Sequence, residues 1–153
     1  MPVDRSVLVE AARVCACFNL RKTSRAVTRV FDEALERRGL RSTGFLTLVA
    51  IRTEGSPTLP RLAQALDLDR STLTRNLKPL VEGGLVRTST PRGSRTARAA
   101  LTPRGARVLE QCVPLWREAQ DRVEARVGKA RWAVLLASLS NLASLSPGSR
   151  ATG

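Results

Sequence analysis

The 153-residue sequence contains no histidine and no tyrosine. Those absences remove Ser-His-Asp and Cys-His nucleophilic catalysis, histidine-containing zinc sites and the commonest general base. Three scattered cysteines, Cys15, Cys17 and Cys112, are too few for a four-cysteine zinc site within one chain. Their odd number, in a chain whose Val7-Leu8-Val9 stretch is cut by Glu10 and Arg13, predicts a reduced, cytoplasmic protein. Aromatic residues make up only 3% of the chain, few for the stacking platforms of RNA-binding modules. Long apolar runs are also missing. The uncharged stretch 132–149 is interrupted by five serines and Asn141 and runs into Pro147-Gly148, so no membrane contact is expected. A chain this poor in reactive groups reads as a binder that needs no metal or cofactor, not as an enzyme.

Acid is scarce as well. Thirteen Asp+Glu stand against 26 Lys+Arg, a net charge of +13, with a pI of about 11.6. Only Lys22, Lys78 and Lys129 are lysines, leaving 23 arginines. Arginine offers a planar fork that fits phosphate oxygens, whereas lysine is a point charge. Such a surplus points to a polyanion, above all nucleic acid. With 42% hydrophobic and 25% charged residues, the chain is otherwise an ordinary single globular domain.

Periodicity predicts a mainly α fold with a small β-hairpin wing. Apolar residues at helical spacing, among them Ala11, Val14, Phe18, Ala26, Val30 and Leu35, suggest one long helix over about 7–38. Ser42 or Thr43 can cap a second helix reaching Glu54, and Gly55-Ser56-Pro57 forms a turn. Pro60 opens a short helix, and Asp69 caps the next, which runs from Arg70 to Glu82. This is a helix-turn-helix. Segments 85–90 and 96–101 read as strands around the turn 91–95. Thr102-Pro103 then starts a helix burying Val108, Cys112, Trp116, Ala119 and Val123, and a last helix after Gly128 carries Trp132, Leu135, Leu136, Leu139, Leu142 and Leu145.

On the helix from Arg70 to Glu82, Leu73, Leu77 and Leu80 form one stripe, while Ser71, Arg75 and Lys78 share the opposite face. Arginine can bond guanine edges bidentately, and Ser or Thr can reach bases or phosphates. Alone, the pattern also fits a solvated amphipathic helix. The neighbouring segment favours nucleic acid: Arg87, Arg92, Arg95, Arg98, Arg104 and Arg107 lie between Glu82 and Glu110 without an acid.

These segments in order resemble the MarR family of bacterial winged helix-turn-helix transcription regulators, over nearly the whole chain. The resemblance rests on Leu62-Ala63 and Leu66, Leu68-Asp69-Arg70-Ser71-Thr72-Leu73-Thr74-Arg75, and Leu80-Val81-Glu82-Gly83-Gly84-Leu85-Val86. It rests too on the wing signature, Asp-x-Arg, five residues, then Leu-Thr-x-x-Gly, which falls on Gly93-Ser94-Arg95 through Leu101-Thr102-Pro103-Arg104-Gly105. Gly93 replaces the family's acid, so the usual brace of the wing is missing and a looser wing is expected. The resemblance implies a winged helix-turn-helix lobe at 42–102, dimerisation helices at 7–38 and 103–146, and leaves a flexible tail at 147–153. It places Ser71, Thr72, Thr74 and Arg75 on the recognition helix and Arg95 in the minor groove; Lys78 and Arg92 join them on charge and face alone. It implies an obligate homodimer, and the Trp132–Leu145 stripe, too apolar to stand exposed, independently asks for a partner. A two-fold dimer reads a pseudo-palindromic double-stranded DNA operator with half-sites about 10 bp apart.

Release from DNA has three candidate routes. Cys17 with Phe18 is similar to the reactive-cysteine region of the family's peroxide-sensing branch, though the tyrosines of that branch are absent and Phe31 takes one of their places. Arg13 and Arg21 surround it with positive charge, the setting in which thiolates react; inert packing is the competing reading. On one continuous helix Cys15 and Cys17 lie about 200° apart and cannot pair. Secondly, a small-molecule effector between the dimer helices and the DNA lobe, the family's usual site, could be an anion held by Arg21, Arg25 or Arg52. Thirdly, binding could be constitutive. The leading reading is therefore a homodimeric, sequence-specific DNA-binding regulator, most simply a repressor. Its competitor is a non-specific architectural DNA- or RNA-binding protein driven by charge.

Overall fold

The structure, a computed structural model, describes residues 3–145; the tail expected over 147–153 lies outside them. The N-terminal arm is two helices. Helix α1 (Arg5–Val14) ends at Cys15, whose φ −59°, ψ 113° leaves the helical region, and α2 (Ala16–Leu35) starts afresh. The single helix expected over 7–38 is thus broken. Asn19 supports the break: its Nδ2 donates to the carbonyls of Arg13 and Cys15, both at 3.0 Å. A short 3-10 turn (Glu36–Arg38) follows, and Gly39 closes it at φ +68°, a conformation that favours glycine.

Helix α3 (Ser42–Glu54) carries much of the core: Phe45, Leu48 and Ile51 are buried. Its cap is not the expected Ser42 or Thr43, which lie inside the helix. Asp32 of α2 accepts the Ser42 N–H at 2.7 Å, so a carboxylate remote in sequence satisfies an N-terminal donor. Thr58 caps α4 (Leu59–Ala65), and Pro60 sits in its first turn. The turn into α5 (Arg70–Glu82) passes through Asp67 at φ +51°, closed by Leu68 N–H donating to the Ala63 carbonyl at 2.9 Å.

Strands β1 (Val86–Ser89) and β2 (Arg98–Leu101) pair antiparallel, Val86 opposite Leu101. Segment 57–59 adds itself to the free edge of β2: Leu59 N–H donates to Ala97 O at 2.9 Å and Ala99 N–H to Pro57 O at 3.0 Å. The wing is thereby tied to the start of α4, a pairing that strand periodicity alone does not reveal.

Helix α6 (Pro103–Val127) is capped by the Thr102 hydroxyl and runs to Gly128, where α7 (Lys129–Ala143) begins. Of the five residues expected to bury one face of α6, Cys112 and Ala119 are buried, whereas Val108, Trp116 and Val123 are half-buried; Leu109 joins the core instead. The core gathers Leu35, Phe45, Leu48, Leu62, Leu73, Leu77, Val86 and Cys112 from six elements. Neither α1 nor α7 buries a residue in it. Among the described residues no helix is long and apolar enough to cross a membrane.

Candidate nucleic-acid interface

Helix α5 is held by its apolar stripe. Leu73, Leu77 and Leu80 are buried, and each such side chain contributes about 1.5–3 kcal/mol on transfer from water. That burial turns Ser71, Thr74, Arg75 and Lys78 outward, all exposed; Thr72 is half-buried. Ser71, Arg75 and Lys78 thus share the solvent face that their spacing predicts.

Asp69 organises the N-terminal turn of α5. Its carboxylate accepts Thr72 N–H at 2.8 Å, Thr72 Oγ1–H at 2.7 Å and Ser71 Oγ–H at 2.5 Å. The Ser71 hydroxyl first, then Thr72, holds the Asp69 carboxyl well below the ordinary carboxylate range. Arg75 Nη2 in turn donates to Thr72 Oγ1 at 3.3 Å. The order Arg75, Thr72, Asp69 orients the guanidinium along the helix. Because Ser71 and Thr72 give their protons to Asp69, their free lone pairs accept; a base amino group suits them better than a phosphate. Thr74 Oγ1 donates to its own helix at Arg70 O, 2.8 Å, and Lys78 Nζ stands 3.9 Å from Glu82 in a loose surface pair.

The wing tip turns at Gly93, φ +79°. Where the acidic brace is missing, Ser94 closes the turn: its Oγ accepts Thr96 N–H and donates to Thr96 O, each at 3.1 Å. Arg92 and Arg95 are exposed beside it. Arg95 shares a cleft of about 560 Å³ with Arg70, between the wing and the starts of α4 and α5. Arg70, at the first position of α5, is a cation that facial periodicity passes over, because it lies off the Ser71–Arg75–Lys78 line.

A second cleft, about 320 Å³, lies between α2, α3 and α6 and is lined by Val27, Phe31, Phe45, Leu46 and Trp116 with Thr28, Ser42 and Thr43. Phe45 and Trp116 stack at 6.2 Å with planes 20° apart. Arg21, Arg25 and Arg52 are exposed and do not line this cleft. The wall of this cleft is apolar.

Cys15 and Cys17 are exposed, Cys112 buried. Burial pushes the Cys112 thiol up, and nearby Arg38 partly offsets it. Since Cys15 sits on the α1–α2 break, the opposed directions expected for one continuous helix do not apply.

Residues 44–89 match the model of a helix-turn-helix domain. The transcriptional regulator MosR of M. tuberculosis, solved in complex with DNA, is 37% identical, with a TM-score of 0.78 over 86% of this chain and 95% of that one. A MarR variant of E. coli bound to operator DNA shares the fold at 24% identity, TM-score 0.77, over 86% of this chain and 96% of that one. The regulator SarZ of Staphylococcus epidermidis is 30% identical over 90 residues, 58% of this chain and 61% of its own length. A MarR-family regulator from Rhodococcus sp. RHA1 has the same fold, with a TM-score of 0.73 at 22% identity. With α4, α5 and the wing in this arrangement, the chain belongs to the MarR family of winged helix-turn-helix transcription regulators.

Proposed function

We infer that the protein is a homodimeric repressor that binds a pseudo-palindromic operator in duplex DNA. The observation that carries this is α5: leucines anchor its back, and Ser71, Arg75 and Lys78 stand in front. Thr72 and Thr74 flank them, and the wing supplies Arg92 and Arg95. Phosphate contacts set position and base contacts set sequence. In this reading Arg75 and Ser71 read bases while Lys78, Arg92 and Arg95 supply charge, Arg95 from the minor groove. MosR and MarR, its relatives in fold, were solved on DNA.

Residues 42–102 read DNA, and 7–38 with 103–146 join two copies. Val7, Leu8, Val9, Leu136, Leu139 and Leu142 are exposed in the single chain, an apolar surface that a second copy covers. Release comes through the Phe31–Phe45–Trp116 cleft, which suits a neutral aromatic effector, or through oxidation of Cys17 near the α1–α2 break. Either event would shift the spacing of the two α5 helices.

Selection from random duplexes, followed by footprinting, tests the reading. The expected product is an inverted repeat with half-site centres about 10 bp apart. Enrichment of no motif contradicts it and favours a charge-driven architectural protein.

A further inference from the structure

The geometry points to a second DNA-contacting site: a pocket beside the recognition helix in which Arg38, Arg41 and Arg104 grip a backbone phosphate next to Arg75. It rests on the DNA-binding reading and extends it to residues outside the recognition helix and wing.

The pocket, about 430 Å³, is formed where the 3-10 turn after α2 and the start of α3 meet the flank of α5 and the first turn of α6. Four arginines, Arg38, Arg41, Arg75 and Arg104, line it. Among the described residues no carboxylate does. Arg41 pairs loosely with Asp32 at 3.8 Å, its own side chain 84% exposed; such a pair is weak. Arg104 is fixed in place, its Nη1 donating to Gly83 O at 2.9 Å. Arg75 reaches Thr72 from one side and lines the pocket on the other.

Converging cations without an anion raise their mutual repulsion, and a ligand of opposite charge relieves it. The guanidinium fork suits phosphate oxygens. The pocket borders the helix that bears Ser71 and Arg75. A duplex read by that helix therefore carries its sugar-phosphate backbone along the same flank. The site adds affinity and fixes register but reads no sequence.

The test is the salt dependence of binding by the intact dimer, comparing wild type with Arg38→Ala/Arg41→Ala and with Arg5→Ala, an exposed arginine at the start of α1 outside the pocket. Removing one cation from a phosphate makes the slope of log K against log salt shallower by about 0.9. The double variant is expected to flatten the slope and to weaken operator and scrambled duplex by the same factor, with the melting temperature and the Arg5→Ala slope unchanged. Arg104→Lys, which keeps charge but loses the fork, gives an intermediate affinity. An unchanged slope in the double variant overturns the phosphate site alone. A wild-type protein that binds no duplex overturns the site together with the DNA-binding reading beneath it.

Discussion

Gly105 of α6 lies against the backbone of Leu85, so close that a Cβ there would sit 2.8 Å from the Leu85 carbonyl carbon and overlap its oxygen. Next to it, Thr102 Oγ1 accepts Gly105 N–H at 2.9 Å and donates to Gly84 O at 2.7 Å. The Leu-Thr-x-x-Gly of the wing signature thus has a mechanical meaning. Threonine caps α6 and clasps the end of α5, and glycine lets the helix dock against the entry to β1. Gly105→Ala is expected to cost at least the 1–3 kcal/mol typical of overpacking, read as a lower urea midpoint, with DNA affinity falling only as far as the wing is displaced. Wild-type stability in this variant contradicts the close approach.

Asp69 supplies a prediction in pH. Its carboxyl is held below the ordinary value of 3.8 by Ser71 and Thr72, so the folded state favours the ionised form. The stabilisation is complete above about pH 3.8 and drains away as the pH falls below it. Asp69→Asn is therefore expected to melt lower than wild type at neutral pH, with the gap narrowing below pH 3.8. A gap that stays constant down to pH 2 contradicts the capping role.

Arg75 and Arg95 should fail in different ways. Arg75→Ala is expected to cost about 1–3 kcal/mol on the operator and to relax preference at one base position. Arg95→Ala is expected to weaken all duplexes and flatten the salt slope. Equal loss on every sequence for Arg75→Ala would make it a phosphate contact.

The apolar cleft predicts effector chemistry. In a Trp132→Phe background, leaving Trp116 as the only tryptophan, a neutral bicyclic aromatic is expected to quench fluorescence and release operator DNA. Benzoate is expected to do neither, and Arg21→Ala, Arg25→Ala and Arg52→Ala to change nothing. Binding of the carboxylate, abolished by replacing any of those arginines, contradicts the cleft as effector site.

Peroxide treatment separates the thiols. Loss of operator binding is expected in wild type and in Cys112→Ala, whose buried thiol resists ionisation, and is expected to vanish in Cys17→Ala. Identical sensitivity in all three excludes Cys17 as the trigger.

Local signals reveal most of this fold and long-range contacts the rest. The α5 stripe, the Asp69 and Thr102 caps, and the Gly128 break are written in spacing and side-chain type, and each appears in place. The break at Cys15 has no proline or glycine to announce it. The cap of α3 comes from Asp32, ten residues upstream, and the third pairing of the wing joins Leu59 to Ala97. None of these leaves a periodic trace. The same limit explains the site: one helix face exposes Ser71, Arg75 and Lys78, but only folding brings Arg38, Arg41 and Arg104 to one pocket with Arg75, and only folding leaves Arg21, Arg25 and Arg52 off the apolar cleft.

The most direct measurement is the affinity of the intact protein for its selected operator against a scrambled duplex of equal length at physiological salt. A sequence-reading α5 predicts a ratio of about 10³ or more. A ratio near one would contradict it, and would mean that the net charge of +13 holds DNA without reading it.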